Sequence, residues 1–333
     1  MTIPSASLTE ILISGESALG TASGNVAVLR VTSESLVPAV STIASEEIDS
    51  TRNVSDLNKV SSMGEGEIEF EFKDDAPTDI LLQSLIGTTA GNVAVGLVDD
   101  TDYFNGTTQS SFSIEKKTTD GSTPLYQEYN GMVPSTLELT AESGSFVTGT
   151  VGFMGSTVNA MSGSASLTAT DSATETTPFT TVDTNTTVLY DASADSVTYA
   201  DYGALPGSAK VTAFSISIDN GLRAQTQIGS TDLAGIGAGR FTVTGSLTVY
   251  ATNETLFNNY INTTKFGLMF QVGDSTNNYR FYLPEVKLTS AQVLAGGNDE
   301  DVLMELEWQA VKSTISGVNS DVPFTMKLVK NEA

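Results

Sequence analysis

Residues 65–72 read EGEIEFEF, so Glu65, Glu67, Glu69 and Glu71 recur at every second position, and Glu305 and Glu307 repeat that spacing near the end of the chain. Paired carboxylates can hydrolyse a glycosidic bond, one as acid and the other as nucleophile or base. Two acids at spacing two on one strand line a sugar cleft only where aromatic side chains wall it, and the chain has one Trp. His and Cys are both absent. That removes Ser-His-Asp triads, thiol nucleophiles, disulfides and the commonest metal ligands. GGNDED (296–301) and YDASADS (190–196) hold enough oxygens for a weak calcium site but lack the spacing of an EF-hand loop, and both read as solvated turns. The expectation is a protein without enzymatic activity, cofactor or metal.

The elements that must position these carboxylates are strands. Thr, Ser, Val and Gly abound in the 333 residues, and long helical periodicities are few. The length suits two domains or one elaborated domain, and the 39% apolar fraction supports a sizeable core. With 40 acidic against 15 basic residues the formal charge is −25, which argues against gripping nucleic acid, because phosphate contacts need Lys and Arg. The N-terminal segment has no basic region or apolar run of signal-peptide type, and no stretch reaches the length of a membrane span. Synthesis in the cytosol is expected.

Along the chain, residues 24–35 alternate as a strand and the polar 46–64 reads as a long loop. Strand 67–72 follows, with Glu65 just outside it, and a helix over 73–87 starts near Pro77 and ends at Gly87. Further strands are expected at 92–99, 110–118, 132–141 and 146–155. Residues 156–205 are Ser/Thr-rich, and no Lys or Arg occurs from Thr118 through Ala209. They form either a flexible linker or a structured surface excursion. Later strands are expected at 210–222, which ends in an Asp-Asn-Gly turn, and at 240–251, 266–273, 279–291, 301–311 and 323–330. A short helix capped by Thr252 covers 252–261. The two halves repeat one order: polar loop, strong alternating strand, short helix, strand, proline-containing strand, final apolar strand. GEIEFEFKDDAPTDILLQSLI overlays GSLTVYATNETLFNNYI with one small insertion. The division is 1–155, 156–205 and 206–333.

Strand side chains alternate between faces. Ile68, Phe70 and Phe72 face a core, and Glu67, Glu69 and Glu71 face away. The second strong strand shows Thr242, Thr244, Ser246 and Thr248 on its polar side. Polar faces built of hydroxyls and carboxylates suit either a solvated exterior or a wall past which a polyanion must slide. Met154, Met269 and Met304 read as core fillers, and Lys116 and Lys117 as a solvated strand end or a partner for acids.

EEIDSTRNVSDLNKVSSMGEGEIEFEFKDDAPTDILLQSLIG resembles the front half of a major tail tube protein of a long-tailed, non-contractile bacteriophage. YNGMVPSTLELTAESGSFVTGTVGFMG, FSISIDNG, RFTVTGSLTVYATNETLFNNYI and FYLPEVKL resemble later segments of that family, in order, over most of 24–311. The resemblance implies a mostly β fold: a duplicated β-sandwich or barrel module with short flanking helices, whose strands join a ring-wide β-barrel on assembly. It implies self-assembly into stacked rings, trimeric with pseudo-sixfold symmetry if the duplication holds and hexameric otherwise. Tail terminator and tail tip proteins, a tape measure protein inside the tube, and passage of double-stranded DNA come with it. Lumen-facing candidates are Glu67, Glu69, Glu71, Thr242, Thr244, Ser246 and Thr248, with Glu305 and Glu307 of unassigned face. Glu47, Asp49, Arg52 and Asp56 are candidates for a loop that meets the next ring. The rival is an extracellular surface-layer, adhesin or capsid-decoration β-sandwich protein.

Overall fold

The computed structural model describes residues 5–48, 50–51, 53–87, 97–120, 122–169, 176–316 and 318–331. Strands β1 (Glu10–Ala18), β2 (Thr21–Leu29), β3 (Ser33–Glu34), β4 (Val37–Ala44) and β5 (Leu57–Glu71) open the chain, and helix α1 (Ala76–Ile86) follows. Next come β6 (Tyr103–Phe104), β7 (Phe112–Thr119), β8 (Pro124–Glu142), β9 (Thr148–Met154), β10 (Thr157–Val158) and β11 (Thr187–Asp191). Strands β12 (Val211–Asp219), β13 (Arg223–Gln225), β14 (Gly235–Gly237) and β15 (Thr242–Tyr250) lead to helix α2 (Thr255–Ile261). The chain closes with β16 (Phe266–Gly273), β17 (Asn278–Leu294), β18 (Leu303–Ala310) and β19 (Lys327–Lys330).

The fold is mostly β and sandwich-like. One antiparallel layer runs in the spatial order β4–β5–β9–β8–β12–β15–β18–β17. A second layer is in two parts: β2–β1–β7–β8–β10, and β11–β16–β17–β19–β6. The long strands β8 and β17 serve both layers. Each changes register on both sides of the crossing: β8 between Tyr129 and Met132 against β7 and between Pro134 and Thr136 against β9, β17 between Leu283 and Val286 against β16 and between Leu288 and Ser290 against β18. A bulge of this kind bends a strand and lets it pass from one layer to the next. Ile68, Phe70, Leu137, Ile216, Leu247 and Trp308 of the first layer share one core with Ile13, Phe112, Ile114, Leu268, Phe270 and Phe281 of the second. Among the described residues no barrel closes within the chain, since β4 and β17 end the first layer without pairing to each other.

Helix α1 begins where the Asp75 side chain accepts a hydrogen bond from the Thr78 N–H at 3.0 Å. It ends at Gly87, whose φ of 70° suits glycine. From Pro77 on, every residue of α1 is buried. The polar Asp79 meets Lys330 Nζ at 2.6 Å and the Tyr279 hydroxyl at 2.7 Å, which ties the first half to the last strand.

Several expectations need correction. The 46–64 segment is not one long loop, because β5 starts at Leu57 and pairs with β4. Its outer part, from Leu57 to Val60 of β5 and Thr42 to Ala44 of β4, is exposed on both faces, so no alternation marks it. Glu65 lies inside β5, opposite Val37 and Met154. Helix α2 has Glu254 at its cap position, and Asn253 Oδ1 accepts from the Thr255 N–H in place of a Thr252 cap. The strand expected at 92–99 falls mostly outside the described residues. Strand β1 had no sequence signal, since Ile11 through Glu16 are buried on both faces, which erases period two. The described parts of 156–205 pack on the body: Leu167 joins Leu12 and Val26, and Phe179 meets Phe72 and Tyr279.

Candidate functional site

The outer face of the first layer gathers the sequence-predicted residues. Two rows of cross-strand partners define it. One runs Glu69, Thr150, Glu138, Ser217, Thr244, Gln309, Lys287. The next runs Glu71, Thr148, Thr140, Ser215, Ser246, Glu307, Ser290. Glu67 and Thr242 lie beyond the first row with Thr136 and Asp219, and Thr248 with Glu305 beyond the second. Glu67, Glu69, Glu71, Thr242, Thr244, Ser246 and Thr248 therefore share one continuous face. Glu305 and Glu307, unassigned from the sequence, belong to it too. The opposite side of the same strands is core: Ile68, Val151, Ile216 and Val243 are at most 2% exposed.

Hydroxyls stitch the face together. Thr140 and Thr148 share a hydrogen bond of 2.8 Å, as do Ser215 and Ser246, and Ser33 donates to Glu69 at 2.6 Å. Among the described residues no basic side chain pairs with Glu65, Glu67, Glu69, Glu71, Glu138, Glu305 or Glu307. Lys287, at the far end of the first row, is a cation on the face itself and forms an ion pair with none of these carboxylates; Lys116 pairs with Glu34, Lys117 with Glu10 at 2.7 Å, and Lys330 with Asp74 and Asp79 at 2.6 Å. Carboxylates two apart on a strand sit roughly 7 Å from each other and repel by about 0.6 kcal/mol in water. Covering the face with low-dielectric protein multiplies that cost several-fold. Such a face is cheap only while it looks onto water.

Glu138, Asp219, Thr140, Thr148, Thr150, Ser215 and Ser217 were missed as site residues. TLELTA and FSISID carry the required alternation. What no single strand shows is that β8 pairs with β12 and joins the two polar faces into one.

The inter-ring candidates lie elsewhere. Glu47 and Asp56 sit in the connection of the β4–β5 hairpin, both exposed, and Asp56 accepts from the Leu57 N–H at 2.8 Å. Asp49 and Arg52 fall outside the described residues. The hairpin exposes Val40, Ile43, Leu57 and Val60, with Ile43 60% and Leu57 62% accessible.

The Asp-rich stretches are turns. Asp191 Oδ1 accepts from the N–H and hydroxyl of Ser193, and Glu300 accepts from the Gly297 N–H. No helix among the described residues is long and apolar enough to cross a membrane.

A family model described as phage tail tube protein matches residues 6–310. No curated protein sequence matches the chain.

Proposed function

The chain belongs to the phage tail tube protein family, and on that premise we propose that its copies close into rings and stack as a tube whose bore is the carboxylate and hydroxyl face described above. It is a structural protein of the virion tail. Under this reading the tail is that of a long-tailed, non-contractile bacteriophage, the subunit is made in the host bacterial cytoplasm, and double-stranded DNA passes through the tube during ejection. Tail terminator and tail tip proteins bound its ends, and a tape measure protein fills it beforehand.

The observation that carries the reading is the continuity of a face with its carboxylates unpaired. Duplex DNA carries one negative charge per ~1.7 Å of axis. A wall of Glu67, Glu69, Glu71, Glu138, Glu305 and Glu307, spaced by Thr and Ser, repels phosphate and keeps a hydrated layer. A basic wall would hold the DNA.

Ring composition follows from an internal duplication of 1–155 and 206–333. Three features recur at matched places when Gly66 is laid on Gly245. Ser35 Oγ accepts from the Glu67 N–H at 2.9 Å, and Ser215 Oγ from the Ser246 N–H at 3.1 Å. A Cβ on Gly66 would lie 2.5 Å from the Ser35 carbonyl oxygen, and one on Gly245 2.1 Å from that of Ser215. The bulges of β8 and β17 coincide. Two ring units per chain make a trimer with pseudo-sixfold symmetry. The β4–β5 hairpin, with Glu47 and Asp56 in its connection, reaches the next ring.

The test is the combined replacement Glu67→Lys, Glu69→Lys, Glu71→Lys in the virus. Tubes of normal length with DNA release slowed at least tenfold are expected. Normal release kinetics from such particles would refute the sliding role.

A further inference from the structure

The chain contains its own template for the contact between copies. Strand β8 of the first half pairs with β12 of the second, with Thr136 opposite Asp219, Glu138 opposite Ser217 and Thr140 opposite Ser215. With the duplicated units superposed, β8 corresponds to β17 and β12 to the run from β3 through β4. The bulges fix the first match, placing Ser290 on Thr136 and Gln292 on Glu138. The serine hydrogen bonds fix the second, placing Ser35 on Ser215 and Val37 on Ser217.

In the first layer these two strands are the ends. Among the described residues, 290–294 of β17 pair on one side only, with β18, and 37–41 of β4 pair only with β5. Val293 marks the unfinished edge. It corresponds to Leu139, which is 1% exposed beside β12, yet Val293 is 46% exposed. Both project from the core side of the sheet.

Resting on the ring reading above, we infer that β17 of one copy joins β4 of the next in an antiparallel ladder, with Gln292 opposite Val37 and Ser290 opposite Ala39. In the template the N–H of Asn220 bonds the Ser135 carbonyl at 2.9 Å, and the N–H of Ser143 bonds that of Thr212 at 2.8 Å. Glu138 and Ser217 are therefore a non-hydrogen-bonded pair, the closer kind, with Cα atoms ~4.5 Å apart. Gln292 and Val37 inherit that geometry.

The shift along the strands agrees with closure. The row that starts on Glu71 crosses one unit and arrives at Ser246, the counterpart of Glu67, four residues earlier. A unit of four strands thus advances four residues. Strand number and shear then grow together, a ratio that tilts barrel strands by about 36°. For three chains of eight such strands, the backbone cylinder measures on the order of 45 Å across.

The free edge is also guarded. Pro38 has no N–H to offer, the Leu36 N–H is held by Glu34 at 3.1 Å, and the Leu36 carbonyl accepts from the Tyr129 hydroxyl at 2.9 Å. Such devices keep an open strand from pairing indiscriminately. The ladder accordingly centres on 37–40, and pairing at Leu36 requires Glu34 and Tyr129 to let go.

The absence of cysteine makes the test clean. Val37→Cys with Gln292→Cys, oxidised mildly after assembly, should link copies into a covalent ladder that ends at closed trimers on a non-reducing gel. Ala39→Cys with Ser290→Cys should do the same. Glu138→Cys with Ser217→Cys, the template, should link within one chain. Rings seen by electron microscopy that leave both inter-chain pairs unlinked, or that link Ser33→Cys with Gln292→Cys instead, overturn the register while leaving the ring reading intact. Chains that stay monomeric in the microscope overturn the ring, and the seam with it.

Discussion

Two buried carboxylates, neither on the polar face, give residue-scale tests of the fold. Glu16 is fully buried, and its oxygens accept from the N–H groups of Gly20 and Gly131 and the hydroxyls of Ser111 and Ser113, all within 2.6–2.9 Å. Glu16→Ala orphans these donors and should cost about 3 kcal/mol or more in urea unfolding, with Glu16→Gln in between. Asp79 titrates unusually. Burial lifts it from 3.8 to about 6, against the pull of Lys330 and Tyr279 and with Asp74 adding to the rise. The native state then holds this proton where the unfolded chain has lost it. That share of stability is whole below the unfolded value and disappears as pH rises through about 6. Stability relative to Asp79→Asn should therefore fall by up to about 3 kcal/mol between pH 4 and 7. Parallel unfolding curves for the two proteins across that range would contradict it.

Elements show why some of the fold could be read from the sequence and some could not. Gly245 is the only residue type that clears both the Ser215 carbonyl and the Trp308 ring, with a Cβ 2.1 and 2.3 Å from them. Gly245→Ala should destabilise β15 against β18 by about 3 kcal/mol, measured as a lower urea midpoint. Strands β5, β15 and β18 were legible because one side is core and the other water, so their types alternate. The lower part of the β4–β5 hairpin has water on both sides, β1 has protein on both sides, and neither leaves a period. Helix α1 was legible from Pro77 and Gly87, although its all-round burial hid the role of Asp79. The pairing of β8 with β12 depends on residues 70 or more positions apart, and no local pattern encodes it. The exposed hairpin makes its own prediction, since a two-stranded ribbon with apolar faces is marginal in water without a partner. Replacing 41–61 by an Asn-Gly turn should leave subunit melting within a few degrees, yet stop ring stacking in sedimentation assays. Full-length tubes from that variant would place the inter-ring contact elsewhere.

At the scale of the whole molecule, one sheet with two ends and one wet acidic face accounts for the reading. The sandwich buries the hydrophobic side of the first layer except near the β17 edge, where Val293 is exposed, so the sheet has its edges and its polar face left to offer. In the proposed assembly the edges join copies and the face lines what they enclose. High salt screens carboxylate repulsion across the proposed bore and should favour assembly, raising the polymerised fraction between ~0.05 and ~0.5 M salt in light scattering. A fraction that falls with salt would mean that ion pairs, not strand pairing, hold the rings. The most direct measurement is a helical reconstruction of the assembled tube by electron microscopy. Three chains per ring are predicted, with Glu67, Glu69 and Glu71 turned toward the axis of an open channel. Those glutamates on the outer wall, or particles with no channel, would contradict the account.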